Sequence, residues 1–226
     1  MNNAEKMNLI AFTDTSLPYR NFQLHSKIEI KFCSDLDVFF HEALSNEFSG
    51  MILEMKKVMS TPVSDRDKIF TLAANQPLMR ARIHKNIAIF VDDPDRFLTD
   101  CVQKNEALIR HHERVDVNLE ARISREDDYA MASEFSAKII NISETGCYLI
   151  TSTDFSESHL INIKLNILSN KLPICGGLRW KTIPKSDVYG YGIQFMKIQP
   201  DQSVELLNRV ITPKLSKKKA TEVNSI

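Results

Sequence analysis

The feature that most constrains the fold is a change in the spacing of apolar residues near residue 110. Before it, segments with strand-like alternation are interleaved with segments of helical spacing. After it, nearly every apolar segment alternates with a period of two, as strands with one buried face do. The sequence therefore predicts an α+β chain, in which a small N-terminal α/β module precedes an antiparallel β-barrel with a C-terminal helix.

The N-terminal half is predicted to be a small α/β module with a mixed sheet, after a loosely structured lead-in at 1–26. Ser34 or Asp35 suits the N-cap of its first helix, and the turn at 92–95 suits the N-cap of a last helix that runs towards Arg110. In chain order the predicted elements are a strand at 27–32, a helix at 36–46, a strand at 48–55, a helix capped by 64–67 that runs to 73, and strands at 78–83 and 86–91.

The C-terminal half is predicted to form a barrel, then a helix at 201–211 and a basic tail. The barrel strands are expected at 115–124, 135–142, 146–151, 160–168, 172–181 and 189–198. Trp180 and Tyr191 could stack on a base, but their favoured role is in the core or rim of this barrel. The predicted domains are 1–107 for the α/β module and 108–212 for the barrel, with 213–226 as a disordered tail.

Two polar motifs, Arg110-His-His-Glu-Arg114 and Asn141-Ile-Ser-Glu-Thr-Gly146, stand close to the first barrel strands. Arg110 and Arg114 are four residues apart, so in a helical or turn-like conformation they project to one side. Their planar forks can donate paired hydrogen bonds to phosphate or to the edge of guanine. Asn141 and Ser143 share one face of a predicted strand, and Gly146 permits a positive φ and close approach of a ligand. The motifs therefore predict a site for an anionic, purine-bearing ligand.

Together the two motifs resemble the PilZ domain, a bacterial receptor module for cyclic di-GMP whose hallmarks are RxxxR and (D/N)xSxxG in this order. The segments 172–180 and 189–195 are also similar to later strands of that family, so the resemblance spans about half of the chain. It implies a PilZ-type barrel and a cyclic di-GMP site formed by Ile109, Arg110, Arg114, Asn141, Ser143 and Gly146.

The resemblance also carries an expectation about stoichiometry and one about the N-terminal module. An arginine just before RxxxR would help to hold a second nucleotide, and Ile109 stands there instead, so we expect one nucleotide per chain. The N-terminal half resembles α/β regions found ahead of some PilZ domains, especially across 50–83. A split-barrel domain of the kind found in flagellar-brake-type PilZ proteins is the alternative, which the two helical patterns disfavour.

Charge and hydropathy limit the possible partners. The chain carries 29 basic and 29 acidic residues, so no global field favours a nucleic-acid polymer or a membrane surface, and any anion site must be local. No window reaches the roughly 18 apolar residues of a membrane span, and the N-terminus does not resemble a signal peptide. We therefore expect a cytoplasmic protein. The four cysteines are far apart, which predicts buried, reduced thiols: Cys33, Cys101, Cys147 and Cys175.

Several residues suggest chemistry that their surroundings do not support. His111 and His112 are adjacent on a turn with no third ligand at suitable spacing, so a metal site is not expected. Asp92 and Asp93 are predicted to form a turn and a helix cap rather than the acidic group of a phosphorylated receiver domain. The sequence contains no nucleophile elbow and no glycine-rich phosphate loop, so neither an enzyme nor a cofactor is predicted.

The motifs and the resemblance together predict a non-catalytic receptor for cyclic di-GMP. A ligand that bridges the linker and the barrel would reorient the two domains and so regulate an unknown downstream protein in motility, adhesion or biofilm output. The alternative is a PilZ-fold adaptor that binds no nucleotide and acts as a protein-interaction module. Arg110, Arg114, Asn141 and Ser143 would face one common cavity in a receptor, whereas arginines held in intramolecular salt bridges away from Ser143 would favour the adaptor.

Overall fold

The computed structural model of the protein describes residues 7–20, 22, 28–108, 113–182 and 187–216. The chain divides into two compact units, residues 1–111 and 112–226. The boundaries predicted for the domains themselves, 1–107, 108–212 and 213–226, remain predictions.

The N-terminal unit is built on a five-stranded mixed sheet in the order β2-β1-β3-β4-β5. The first four strands in this order pair in parallel, and β4 and β5 form an antiparallel hairpin. The predicted mixed sheet is confirmed. The strands are β1 (Met7–Phe12), β2 (Ile28–Cys33), β3 (Gly50–Glu54), β4 (Leu78–His84) and β5 (Ile87–Phe90).

The prediction of a loosely structured lead-in at 1–26 is wrong for residues 7–12, because these form β1, an inner strand between β2 and β3. Leu9, Ile10, Ala11 and Phe12 are all at most 1% exposed, so both faces of this strand are covered. A strand buried on both faces reads as a continuous apolar run and shows no alternation. A short 3-10 helix, Leu17–Tyr19, follows it.

The helices of this unit are α1 (Leu36–Ser45), α2 (Met55–Ser60), α3 (Val63–Ala73) and α4 (Pro94–Leu108). The predicted N-cap at Asp35 is confirmed, since its carboxylate accepts a hydrogen bond from the Val38 amide at 2.9 Å. The predicted cap for α3 at 64–67 is wrong, because that helix starts at Val63 directly after Pro62. Helix α2 was not predicted. Its six residues are too few to show a helical period.

The C-terminal unit is a closed six-stranded barrel in the order β10-β11-β8-β7-β6-β9, as predicted. All neighbouring strands pair antiparallel, and the β9–β10 pairing closes the ring. The strands are β6 (Val115–Arg125), β7 (Phe135–Ser143), β8 (Gly146–Thr151), β9 (Leu160–Leu165), β10 (Ile174–Lys181) and β11 (Tyr189–Lys197).

The predicted C-terminal helix is present as α5 (Pro200–Leu206), followed by a π-helical turn at Leu207–Ile211. The buried side chain of Gln202 donates hydrogen bonds to the carbonyl oxygens of Asn170 and Leu172, which fixes α5 against the connection between β9 and β10. Residues 212–216 are also helical, so the prediction of a disordered tail from 213 is wrong for its first four residues. Residues 217–226 lie outside the described part of the chain.

Candidate functional site

The predicted site residues fall at the start of the barrel and on its first hairpins. Arg114 immediately precedes β6, Asn141 and Ser143 end β7, and Gly146 begins β8. Strand pairing places Asp116 opposite Asn141, which brings the start of β6 beside the end of β7. The predictions for Ile109, Arg110, His111 and His112 lie outside the described residues.

Arg114 and Asn141 form one polar pair on the outside of the barrel. Nη1 of Arg114 donates a hydrogen bond to Oδ1 of Asn141 at 3.3 Å. Arg114 is solvent-exposed, and Asn141 is half-buried. Below the pair, burial raises the pKa of the Cys147 thiol to about 12, and the nearby Arg114 charge acts in the opposite direction. The Arg114 guanidinium therefore lies beside the end of β7, where it contacts Asn141.

Ser143 has a different surrounding from Asn141, although both lie on the outward face of β7. It is 2% exposed, and its hydroxyl donates to the Gly146 carbonyl oxygen at 3.3 Å. Its oxygen also lies 3.5 Å from Oγ1 of Thr145. Ser143 thus stabilises the turn between β7 and β8. This turn holds the end of β7 that carries Asn141.

Gly146 is required for a reason that the sequence did not reveal. The prediction that it permits a positive φ is wrong, because no glycine that the structure describes has one. A Cβ atom at Gly146 would instead lie 2.2 Å from the carbonyl oxygen of Ile193 in β11. Glycine is needed because two backbones approach closely at the β8–β11 pairing.

An aromatic pair lies beside Asn141, of which the sequence had suggested only Trp180, as the less favoured base-stacking alternative. The rings of Tyr148 and Trp180 are stacked, with centroids 5.2 Å apart and planes 16° apart. Both rings pack against glycines of β11. A Cβ atom added to Gly192 would lie 2.1 Å from Trp180 Cε2, and one added to Gly190 would lie 2.2 Å from the Tyr148 hydroxyl. The alternating glycines of Tyr189-Gly-Tyr-Gly192 leave one face of β11 bare, which is the sequence signal for such a platform.

Strand register connects the polar pair to the aromatic pair. Asn141 is paired with Tyr148, Tyr148 with Gly192, and Gly192 with Trp180. Adjacent strands are about 4.8 Å apart, so three steps span about 14 Å. We call this band, from Arg114 through Asn141, Tyr148 and Gly192 to Trp180, the outer row. It offers a cation and an amide at one end and two flat rings at the other.

The assignment of Trp180 and Tyr191 to the core or rim is correct for Tyr191 only. Tyr191 is 1% exposed, accepts a hydrogen bond from the Phe155 amide at 2.7 Å and donates one to Asp154 at 3.1 Å. Burial raises its pKa to about 12. Trp180 is 48% exposed on the outer surface and contacts Gly192 and Tyr148 rather than the barrel interior.

A separate cavity of about 460 Å³ lies further along the outer faces of β6, β7 and β8. Arg122, Ser136 and Lys138 are among its lining residues, and Arg122 donates to the Ser136 hydroxyl at 2.8 Å. Of the predicted site residues, the four that the structure describes, Arg114, Asn141, Ser143 and Gly146, do not line this cavity.

The structure also describes the four cysteines and the aspartates of the 92–95 turn. The four cysteines are free thiols, of which Cys33, Cys101 and Cys147 are buried and Cys175 is half-buried. Asp92 accepts hydrogen bonds from the Arg80 backbone and side chain, and Asp93 accepts one from the Arg96 amide at the start of α4. The predicted capping role is confirmed for Asp93, whereas the Asp92 carboxylate instead binds Arg80 of β4.

Two features are absent from the residues that the structure describes. No three His, Cys, Asp or Glu side chains among them come together as a metal-binding group. None of the helices in that part of the chain combines the length and hydropathy needed to cross a membrane.

Comparison with protein families decides the identity of the C-terminal half, since residues 108–212 match the family model of the PilZ domain. This half of the chain is a PilZ domain. No curated protein sequence matches the chain.

Three solved structures resemble the chain at low sequence identity. The Bacillus subtilis inhibitor of motility MotI/DgrA is 15% identical, with 60% of this chain and 58% of that one covered and a TM-score of 0.38. The PilZ domain of Escherichia coli YcgR with c-di-GMP is 12% identical, with 52% and 98% covered and a TM-score of 0.35. The Klebsiella pneumonia MrkH–c-di-GMP complex is 18% identical, with 49% and 54% covered and a TM-score of 0.38. The chain thus spans little more than half of the lengths of MotI/DgrA and MrkH.

Proposed function

We propose that this protein is a non-catalytic receptor for cyclic di-GMP, which binds along the outer row of the PilZ domain. The observation that carries the proposal is the register that aligns the Arg114–Asn141 pair with the Tyr148–Trp180 stack. The membership of 108–212 in the PilZ family supports the choice of nucleotide.

The two ends of the outer row suit the two chemistries of the ligand. A half-exposed indole stacked on a phenol ring offers a flat surface on which a guanine base can stack, an interaction worth about 1–3 kcal/mol per base. The exposed guanidinium of Arg114 and the amide of Asn141 can hydrogen-bond phosphate oxygens or a guanine edge. A span of about 14 Å accommodates a dinucleotide rather than a single base.

Arg110 and Ile109 complete the proposed site from the sequence. Arg110 would supply the second arm of the clamp, with Arg114 as the first. Ile109 adds neither a donor nor a positive charge to hold a second dianionic ligand, so one nucleotide per chain is expected. Ser143 and Gly146 would act mainly by holding the turn that positions Asn141.

Nucleotide binding would regulate a downstream protein through the linker. Arg110 and Arg114 precede β6, whereas Asn141 belongs to the barrel, so a ligand bound to all three draws the segment before β6 onto the barrel. Such ordering of a segment is a common route from ligand to distant effect. We expect slower amide hydrogen exchange across residues 105–115 with the nucleotide, and a changed scattering profile as the domains reorient. Unchanged exchange and scattering at saturation would contradict this mechanism.

Equilibrium dialysis with labelled cyclic di-GMP tests the site itself. Removing a charged hydrogen-bonding group costs about 1.5–3 kcal/mol, so Arg110→Ala and Arg114→Ala should each weaken binding by about 10- to 150-fold. Asn141→Ala should weaken it by about 2- to 12-fold, because a neutral hydrogen bond contributes about 0.5–1.5 kcal/mol. Arg122→Ala is the matched control, since it removes an exposed arginine of β6 outside the outer row.

The same experiment separates the receptor from the adaptor. Equal affinity in Arg114→Ala and Arg122→Ala would refute the proposed site. A folded wild-type chain that binds no nucleotide would instead favour the adaptor, in which the barrel only presents an interaction surface.

A further inference from the structure

The edge strand β5 of the N-terminal unit exposes an apolar strip. Ile87, Ile89 and Val91 alternate along one face and are 64%, 52% and 52% exposed. Ala88 and Phe90 face the other way and pack against the core of the unit. Within the described part of the chain, no strand pairs with the second edge of β5. An exposed edge strand without charged residues is a template for pairing with another strand.

The hydrogen bonding of the β4–β5 hairpin shows which backbone groups are directed to the free edge. The turn residues Lys85 and Asn86 have φ angles of 48° and 61°, and the Val91 amide donates to the Arg80 carbonyl oxygen at 2.9 Å. Bonded and non-bonded pairs alternate in an antiparallel ladder, so Ile87 and Ile89, like Val91, direct their backbone groups at β4. The N–H and C=O groups of Ala88 and Phe90 therefore point away from β4.

The sequence of this strand is complementary to itself when read in the opposite direction. Residues 85–93 run Lys-Asn-Ile-Ala-Ile-Phe-Val-Asp-Asp, with Lys85 in the β4–β5 turn, only apolar residues at 87–91, and Asp92 and Asp93 where the chain turns into α4. Antiparallel pairing of two copies about Ile89 brings the basic turn of one copy, at Lys85, towards the acidic turn of the other, at Asp92 and Asp93. The same register places Ile87 opposite Val91 and Ala88 opposite Phe90.

We propose that two copies of the chain dimerise by antiparallel pairing of their β5 strands about a two-fold axis at Ile89. Ala88 and Phe90 then exchange four backbone hydrogen bonds with the partner copy. The apolar strips of the two copies become one continuous surface, and the attraction between the Lys85 turn of each copy and the acidic turn of the other favours this register. A second copy is the occupant that this strand fits, because an interface with two-fold symmetry requires a self-complementary surface.

Cysteine cross-linking tests the register. At the axis the two Ile89 residues form a non-hydrogen-bonded pair with Cα atoms about 4.5 Å apart, within disulfide range. Ile89→Cys in the full chain should therefore give a covalent dimer on oxidation with copper phenanthroline. Ile87→Cys is the matched control, since the two copies of that residue would be about 13 Å apart. The double variant Ile87→Cys/Val91→Cys should cross-link again.

Sedimentation equilibrium tests the association itself. The wild-type chain should be a dimer at about 100 µM protein. Ile89→Lys places two like charges on the axis and should weaken association about a hundredfold. Val38→Lys changes a similarly exposed residue of α1 and should leave the dimer intact. A monomeric wild-type chain, or cross-linking of Ile87→Cys as fast as that of Ile89→Cys, would overturn the proposal. Circular dichroism of each variant verifies that it is folded.

Discussion

Replacing Gly192 by alanine should remove the aromatic part of the proposed nucleotide site while preserving the barrel. A Cβ atom at this position would lie 2.1 Å from Cε2 and 2.2 Å from Nε1 of Trp180. Non-bonded carbon atoms prefer about 3.5 Å, so the indole would have to move by about 1.4 Å. Because Trp180 is 48% exposed, its ring can swing into solvent without disturbing the core.

Gly192→Ala should lower the free energy of unfolding less than it lowers the free energy of nucleotide binding. Loss of the Tyr148–Trp180 stack should lower stability by about 0.5–1.5 kcal/mol, the typical value of an aromatic pair. Loss of a stacking surface for a guanine base should cost about 1–3 kcal/mol of binding, or about 5- to 150-fold in affinity. The variant should therefore melt slightly earlier than wild type but bind clearly less nucleotide.

Fluorescence is a specific assay for this prediction, because Trp180 is the only tryptophan of the chain. In wild type, cyclic di-GMP should quench the emission as a base stacks on the ring. In Gly192→Ala the emission should already be red-shifted without ligand, and the quenching should be weaker. In calorimetry, Trp180→Ala should lose affinity for cyclic di-GMP. Tyr129→Ala changes an aromatic residue that is exposed to the same extent and should keep that affinity. Unquenched emission in a wild-type chain that binds nucleotide would refute the stacking model.

Three further predictions concern the packing and the ionisation of other groups. Gly146→Ala should destabilise the barrel by about 1–3 kcal/mol in a denaturant titration, because the carbonyl of Ile193 cannot give way; an unchanged midpoint would contradict this. Arg80 holds the pKa of Asp92 below its usual value, so Asp92→Asn should melt earlier than wild type at pH 7; this difference should vanish as the pH falls through the lowered pKa. Burial raises the pKa of Cys147 to about 12, so a thiol reagent at pH 8 should modify it only after unfolding.

The sequence predicted the barrel because strands such as β6 and β7 have one face in the core and one in solvent. That arrangement produces the alternation seen in β6, for example. The same rule failed for β1, which is covered on both faces and so lacks a period of two. Helix α2 was missed because one and a half turns leave no periodic signal.

The candidate site was predictable where a motif determined it and not where packing did. The proximity of Arg114 to Asn141 follows from a basic residue just before the first barrel strand and an amide on its neighbour. The reason for Gly146 is a contact with β11, a strand far away in sequence, which no local pattern contains. The Tyr148–Trp180 pair was missed because its two residues are 32 positions apart in the chain, and only the spaced glycines of β11 indicated it.

Isothermal titration calorimetry of the full-length chain with cyclic di-GMP tests the central claim most directly. The account predicts saturable binding at one nucleotide per chain, lost or strongly weakened in Arg114→Ala and retained in Arg122→Ala. Saturation at two nucleotides would contradict the role inferred for Ile109. The absence of any binding heat at several temperatures, with no retention of labelled nucleotide in dialysis, would contradict the receptor function itself.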